Sequence, residues 1–132
     1  MDTTVRDGEQ TQGVSFTPPE KSNIVKTMLK HLRVDRIEVT SARISAGELG
    51  SMQKITEWAK ENGFLDRIEV LGFIDHKRSV DWIKESGCTV MNLLTKGSEN
   101  HCKNQLKKTL KQHVTDIRQT LKYAHVNELN VN

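Results

Sequence analysis

The chain has 132 residues, with 20 lysines and arginines against 17 aspartates and glutamates, a formal charge of +3 and a pI near 8.9. That length suits one domain with a real core, and the two signs are interspersed, so the concentrated basic patch that nucleic-acid binding needs is not formed. No apolar segment approaches the ~18 to 20 residues that span a bilayer, and the N-terminus lacks a basic start followed by an apolar core, which predicts a cytoplasmic protein without membrane or nucleic-acid partners.

In chain order, residues 1–4 read as the last residues of a strand. Gly8 would then release the backbone and leave Arg6 and Asp7 at the strand's C-terminal mouth, where parallel β/α proteins keep their chemistry. Thr17-Pro18-Pro19-Glu20 has capping-box spacing, with prolines where an early helix turn accepts them. It introduces Ile24, Val25, Met28, Leu29 and Leu32 at helical intervals, so a helix is predicted over 18–32. Residues 34–39 read as a strand. Leu49, Met52, Ile55 and Ala59 mark a second helix that stops before Gly63, and a strand over 65–73 follows.

These two strands are nearly copies. Val34-Asp35-Arg36-Ile37-Glu38-Val39 recurs 31 residues later as Leu65-Asp66-Arg67-Ile68-Glu69-Val70, a period that fits one strand plus one helix. The pattern continues with a helix over 78–86 stopped by Gly87 and a strand over 89–95. A last helix carries Leu106, Leu110, Val114, Ile117, Leu121 and Ala124, and a further strand begins at 129. Alternation of this kind implies parallel pairing and an α/β fold of about four and a half units. It fits either an open doubly wound sheet or part of an eight-unit barrel. The repeat favours the barrel, because a barrel gives each unit an equivalent place.

Glycine-rich nucleotide-binding turns are absent after every strand. Cys88 and Cys102 form no Cys-x-x-Cys pair and read as reduced thiols. His31, His76, His101, His113 and His125 show no spacing for a local metal site. The basic run 103–111 reads as a solvated helix face. Glu38 and Glu69 recur at one place in their strands and could form an inner polar layer or pair with basic neighbours. At Arg6 and Asp7, a carboxylate able to take a hard cation adjoins a guanidinium able to hold an oxyanion. An ordinary surface ion pair is the alternative.

Val5-Arg6-Asp7-Gly8-Glu9-Gln10, followed after ten residues by Lys21, resembles the N-terminal signature of the 2-isopropylmalate, homocitrate and citramalate synthases, whose metal-dependent barrel family includes hydroxymethylglutaryl-CoA lyase. The likeness extends through Gly13-Val14-Ser15-Phe16, 34–48, 67–83 and Asn92-Leu93-Leu94-Thr95-Lys96-Gly97-Ser98. It implies the N-terminal half of a (β/α)8 TIM barrel, spanning 1–132, from an acyltransferase that condenses acetyl-CoA with a 2-oxo acid. A divalent metal ion (Mg, Mn or Zn) would hold the oxo acid. By this resemblance Asp7 is the metal ligand, and Arg6 stabilises the enolic or oxyanionic species and binds substrate. Gln10 supports the same pocket, and Leu71 and Leu94 either shape the oxo-acid pocket or serve as plain barrel core.

Leucine at both of those positions would favour the methyl group of pyruvate and hence a citramalate synthase-like activity, with 2-isopropylmalate synthase or a non-catalytic half-barrel as alternatives. The family also uses a His-x-His pair and a glutamate from later strands, and neither is matched in this sequence. Val5 stands where the signature usually has leucine, and Leu110 where relatives often have proline. The resemblance thus predicts a chain truncated on both sides and inactive alone. Its open sheet edges would invite a homo-oligomer.

Overall fold

The computed structural model describes all 132 residues. Helix α1 (Pro18–Lys30) opens on the predicted box: the Thr17 N–H and Oγ1 both donate to Glu20 Oε2, at 2.8 and 2.7 Å. It ends two residues short of the expected limit, because Arg33 turns left-handed at φ 55° and leaves Leu32 exposed. Strand β1 (Ile37–Ser41) leads to α2 (Ala46–Glu61), capped by Ser45 Oγ, which accepts from Glu48 N at 3.1 Å. β2 (Ile68–Gly72), α3 (Arg78–Glu85), β3 (Val90–Leu93), α4 (Glu99–Asn104), α5 (Leu110–Val126) and β4 (Asn130–Val131) complete the order.

The four strands form one parallel sheet in the order β1-β2-β3-β4. The predicted opening strand is reduced to one residue: Asp2 bridges Ile37 in parallel, its N–H donating to the Arg36 carbonyl and its carbonyl accepting from Glu38 N. The chain then turns at once, with the N–H groups of Arg6, Asp7 and Gly8 all directed at the Thr3 carbonyl. Gly8 does not act as a backbone release. It begins a short 3-10 turn (Gly8–Gln10) without positive φ, and a side chain there would meet only Thr4 at an ordinary 3.8 Å.

The internal repeat becomes a physical neighbourhood, because Ile37 pairs with Ile68 and Glu38 with Glu69. In both copies the strand starts at the isoleucine rather than at the first repeat residue. The preceding Leu65–Arg67 forms a 3-10 turn. Side chains alternate across a strand, so Ile37, Val39, Ile68 and Val70 face the helices. With Met91 they join Val25, Leu29, Met52, Ile55, Ala59, Val80 and Ile83 in a single buried core. Gly72 closes β2 against Met91, whose side chain would have to shift to admit a Cβ. Glu38, Glu69 and Leu71 take the opposite face.

The last helix starts at Leu110 rather than at the expected Leu106, and the short α4 before it is a helix that the apolar spacing does not announce. Thr109 caps α5 with its own box to Gln112, and Lys107, at φ 54°, ends the α4 segment, so Leu106 lies between them. The buried face of α5 is also turned from the expected stripe. His113, Thr120 and Ala124 are buried, whereas Leu110, Val114 and Leu121 are exposed. His113 turns inward because its Nε2 meets the Lys96 carbonyl at 3.1 Å, and Thr120 Oγ1 accepts from His76 N. Those polar contacts set the rotation of the helix where apolar spacing alone would have set another.

Candidate active site

Arg6 is fixed from several directions at the C-terminal side of the sheet. The Nε and Nη2 edge of its guanidinium grips Glu38 Oε1, and Nη1 donates to Asp7 Oδ1 at 2.9 Å. Glu38 is fully buried, and its second oxygen accepts from Asn92 Nδ2. A buried carboxylate needs this degree of pairing. Loop, β1 and β3 thereby hold one arginine. Guanidinium carries five N–H donors, so each of the two Nη atoms keeps a hydrogen for a ligand.

Asp7 differs in kind. Its side chain is 60% exposed and gives Oδ1 to Arg6, which leaves Oδ2 without a hydrogen-bond partner. No group of three or more His, Cys, Asp or Glu side chains that could hold a metal forms in the chain. The residues present therefore fit a divalent cation only in part: Asp7 offers one hard oxygen, and the other positions around the ion would fall to water, substrate or other donors.

The loop beneath the pair is tied down by Lys21, which is nearly buried on α1. Its Nζ donates to Glu9 Oε2 at 2.9 Å and Glu48 Oε1 at 2.8 Å, and Glu9 Oε1 accepts from Phe16 N at 3.0 Å. Burial pushes the Glu9 carboxyl up, but the hydrogen bonds from Lys21 and Phe16 and the lysine charge together hold it below its usual value of 4.5. Burial pulls the Lys21 amine down, and its bonds to Glu48 and Glu9 outweigh that, so it stays above 10.5. Both groups are charged across the neutral range. In the sequence Lys21 stands four and eight residues before Val25 and Leu29. That spacing puts a lysine on the apolar side of α1, where it needs acidic partners, and is the signal that finds this triad.

Gln10 is exposed and lines a small cavity of about 120 Å³ with Val5, Arg6, Glu9, Lys21, Thr40, Ser41 and Ile44. Leu71 and Leu94 do not line it. Leu71, 8% exposed, sits beside Asn92 in the β2–β3 register and so borders the Glu38 network. Leu94 lies just past β3, 43% exposed, its N–H on the Gly72 carbonyl. The structure thus brings Arg6, Asp7 and Gln10 to one loop, sets Leu71 next to the residues that hold Arg6, and leaves Leu94 exposed just past the end of β3. Asn92 went unremarked as a site residue because an isolated asparagine in a strand has no signature of its own.

The chain has relatives. The family model described as HMGL-like matches residues 1–132. The chain belongs to the HMGL-like family. Among curated proteins, this HMGL-like chain is 36% identical over 125 residues to 2-isopropylmalate synthase of Saccharolobus solfataricus, covering 94% of the chain and 31% of that protein. It is 33% identical to a putative (R)-citramalate synthase of Methanopyrus kandleri, covering 99% of the chain and 25% of that protein. The chain therefore spans about a quarter to a third of the length of these relatives.

Among solved structures it matches the HMG-CoA lyase of Bacillus subtilis with a TM-score of 0.72 at 18% identity, covering 98% of the chain and 43% of the lyase. That likeness bears on the fold. Of the two architectures open in the sequence, the α/β arrangement is the one matching part of a TIM barrel. No helix of the HMGL-like chain is long and apolar enough to cross a membrane.

Proposed function

We propose that residues 1–132 are the N-terminal portion of the catalytic barrel of an acyltransferase that condenses acetyl-CoA with a 2-oxo acid, in leucine- or isoleucine-type amino-acid biosynthesis. The observation that carries this is Arg6, immobilised by buried Glu38 and set beside exposed Asp7 at the mouth of a parallel sheet. A divalent metal, when bound, would polarise the oxo-acid carbonyl, and Asp7 Oδ2 would be one of its ligands. Arg6 presents its remaining Nη hydrogens to the oxyanion that develops as the carbonyl is attacked. Because Glu38 and Asn92 hold it already oriented, it need not reorganise during the reaction. Gln10 borders the same pocket from the loop.

The substrate reading rests on Leu71, buried beside Asn92, and on Leu94 past the end of β3; neither lines the small cavity at Gln10, and together they would supply an apolar wall only in the completed barrel, favouring pyruvate over bulkier or dicarboxylic oxo acids. A 2-isopropylmalate-type reaction is the second reading, supported by the name of the relative at 36% identity. Free CoA release should be followed with acetyl-CoA, Mn²⁺ and either pyruvate or 2-oxoisovalerate. The chain alone is expected to show no turnover. Extended by a family C-terminal portion carrying a His-x-His pair, it should turn over pyruvate faster, and Asp7→Ala should abolish the metal-dependent rate. Near-normal activity of that variant refutes the assignment of Asp7, and preference for 2-oxoisovalerate refutes the leucine-pocket argument.

A further inference from the structure

Helices α1 and α2 lie side by side and are tied at two levels. Lys21 reaches from α1 to Glu48 at 2.8 Å, and farther along α1 Lys26 and Lys30 set their ammonium groups 5.4 and 5.1 Å from the centre of the Trp58 ring. On the side away from the core the two helices stand apart and leave a groove of about 460 Å³. Pro18, Pro19, Ser22 and Lys26 make one wall. The other is the face of α2 on which Gly47, Gly50, Ser51 and Lys54 recur at helical spacing.

Two features of this groove are unexplained by packing. Glycine weakens a helix interior relative to alanine, and close approach of a neighbour would be a reason to accept that, yet a Cβ on Gly50 would meet nothing within 4 Å. Gly50 keeps space open. Ser51, 7% exposed, is a buried polar side chain whose hydroxyl meets no partner in the chain, although the hydroxyls of Thr40, Thr56, Ser79, Ser86 and Thr120, buried likewise, each donate to a neighbouring oxygen. Buried polar groups are as a rule bonded, and the space Ser51 borders is the groove.

The groove is also cationic. No acidic residue lines it, and the two carboxylates adjoining it in sequence are already engaged, Glu20 by Thr17 and Glu48 by Lys21. Lys26 and Lys54 therefore face it without a counter-charge.

We propose that this groove binds a small phosphomonoester with a hydroxylated, non-aromatic body, held by the Ser22 and Ser51 hydroxyls and the Lys26 and Lys54 ammonium groups. Such a phosphoryl group carries nearly two charges at neutral pH and three strong acceptor oxygens, which two cations and two hydroxyl donors match. The volume lies in the range of small-ligand sites. No aromatic ring lines the groove to stack a base, and its apolar surface is limited to two prolines, too little for an acyl chain or an apolar helix. Both walls lie within residues 18–54, in the helix layer, on the opposite side of the sheet from Glu38. The site is thus separate from the Arg6 corner.

Two-dimensional NMR of the whole chain, titrated with glycerol 2-phosphate at constant ionic strength, tests this, with inorganic phosphate and glycerol as the other arms. Glycerol 2-phosphate should move the amide signals of Gly47, Gly50 and Ser51 saturably, inorganic phosphate should bind several-fold more weakly, and glycerol should be inert. Ser51→Ala should weaken binding several-fold. Gly50→Leu fills the groove from a position with open space around its Cβ, and should abolish binding while the melting temperature holds or rises. Lys54→Glu, at an exposed residue, should abolish it independently of packing. Shifts that do not saturate or that fall elsewhere, equal binding of inorganic phosphate and glycerol 2-phosphate, or undiminished binding by Lys54→Glu each overturn the proposal.

Discussion

The two copies of the Asp-Arg-Ile-Glu-Val repeat begin from one sequence and end in different employment. Glu38 and Glu69 are register partners, equally buried, on the same face of the sheet. Glu38 has both oxygens engaged, Oε1 by Arg6 and Oε2 by Asn92. Glu69 receives Arg36 at 3.0 Å and Asn132 at 3.0 Å on Oε1, while Oε2 has no partner. The arginines diverge as well: Arg36 reaches across to Glu69, whereas Arg67 stacks over Phe64 at 5.7 Å. A repeat thus fixes where a carboxylate stands, and the neighbouring strands decide what it does.

Substitutions at equivalent positions put that contrast to the test. The largest effect should come from Glu38→Gln, which removes the charge facing a mostly buried arginine. A loss of about 3 kcal/mol in urea unfolding is expected, and a loss below about 1 kcal/mol would mean that Arg6 finds another partner. Next is Gly72→Ser, which gives the second copy the residue found at Ser41 in the first. With Met91 in the way, crowding should cost about 2 kcal/mol, and an unchanged midpoint would show that Met91 yields freely.

Glu69→Gln should cost about 1 kcal/mol or less, because its partner Arg36 is half-exposed and one oxygen is already unsatisfied. A penalty equal to that of Glu38→Gln would erase the distinction between the copies. The smallest effect is in pH dependence. Glu9 titrates below 4.5 in the folded chain, so its contribution is complete above that pH and is lost as the pH falls through the folded value. The stability difference between the native chain and Glu9→Gln should shrink from pH 6 to pH 3. A difference that stays constant over this range would rule out the Glu9–Lys21 pairing.

Much of the fold was legible because it depends on local signals. Thr17 to Glu20 announces α1, the repeat announces β1 and β2, and Gly63 and Gly87 mark helix ends with positive φ. The errors lie where distant polar contacts overrule apolar spacing. The Thr109–Gln112 box starts the last helix four residues later than its apolar spacing does, and His113 and Thr120 rotate it by bonding Lys96 and His76. The site was half legible. Arg6 and Asp7 stand together in the sequence, but Glu38 and Asn92, 32 and 86 residues away from Arg6, meet it only when the sheet forms. Glu38 itself was read as an interior carboxylate or an ion-pair partner, and it is both.

The Lys21 triad also gives the molecule an uneven resistance to opening. The helix–sheet core is held by apolar burial, and Arg6 is anchored to buried Glu38, whereas the segment from Gly8 to Phe16 sends no side chain into that core and relies on Glu9, Lys21 and Glu48. Such a segment can detach as a separate unit at lower free energy than global unfolding. Amide hydrogens of residues 8–16 should therefore exchange well before those of β2, and faster still in acid-shifted conditions once intrinsic rates are divided out. The loop that follows Arg6 and Asp7 is thus expected to open while the sheet that holds Arg6 stays closed.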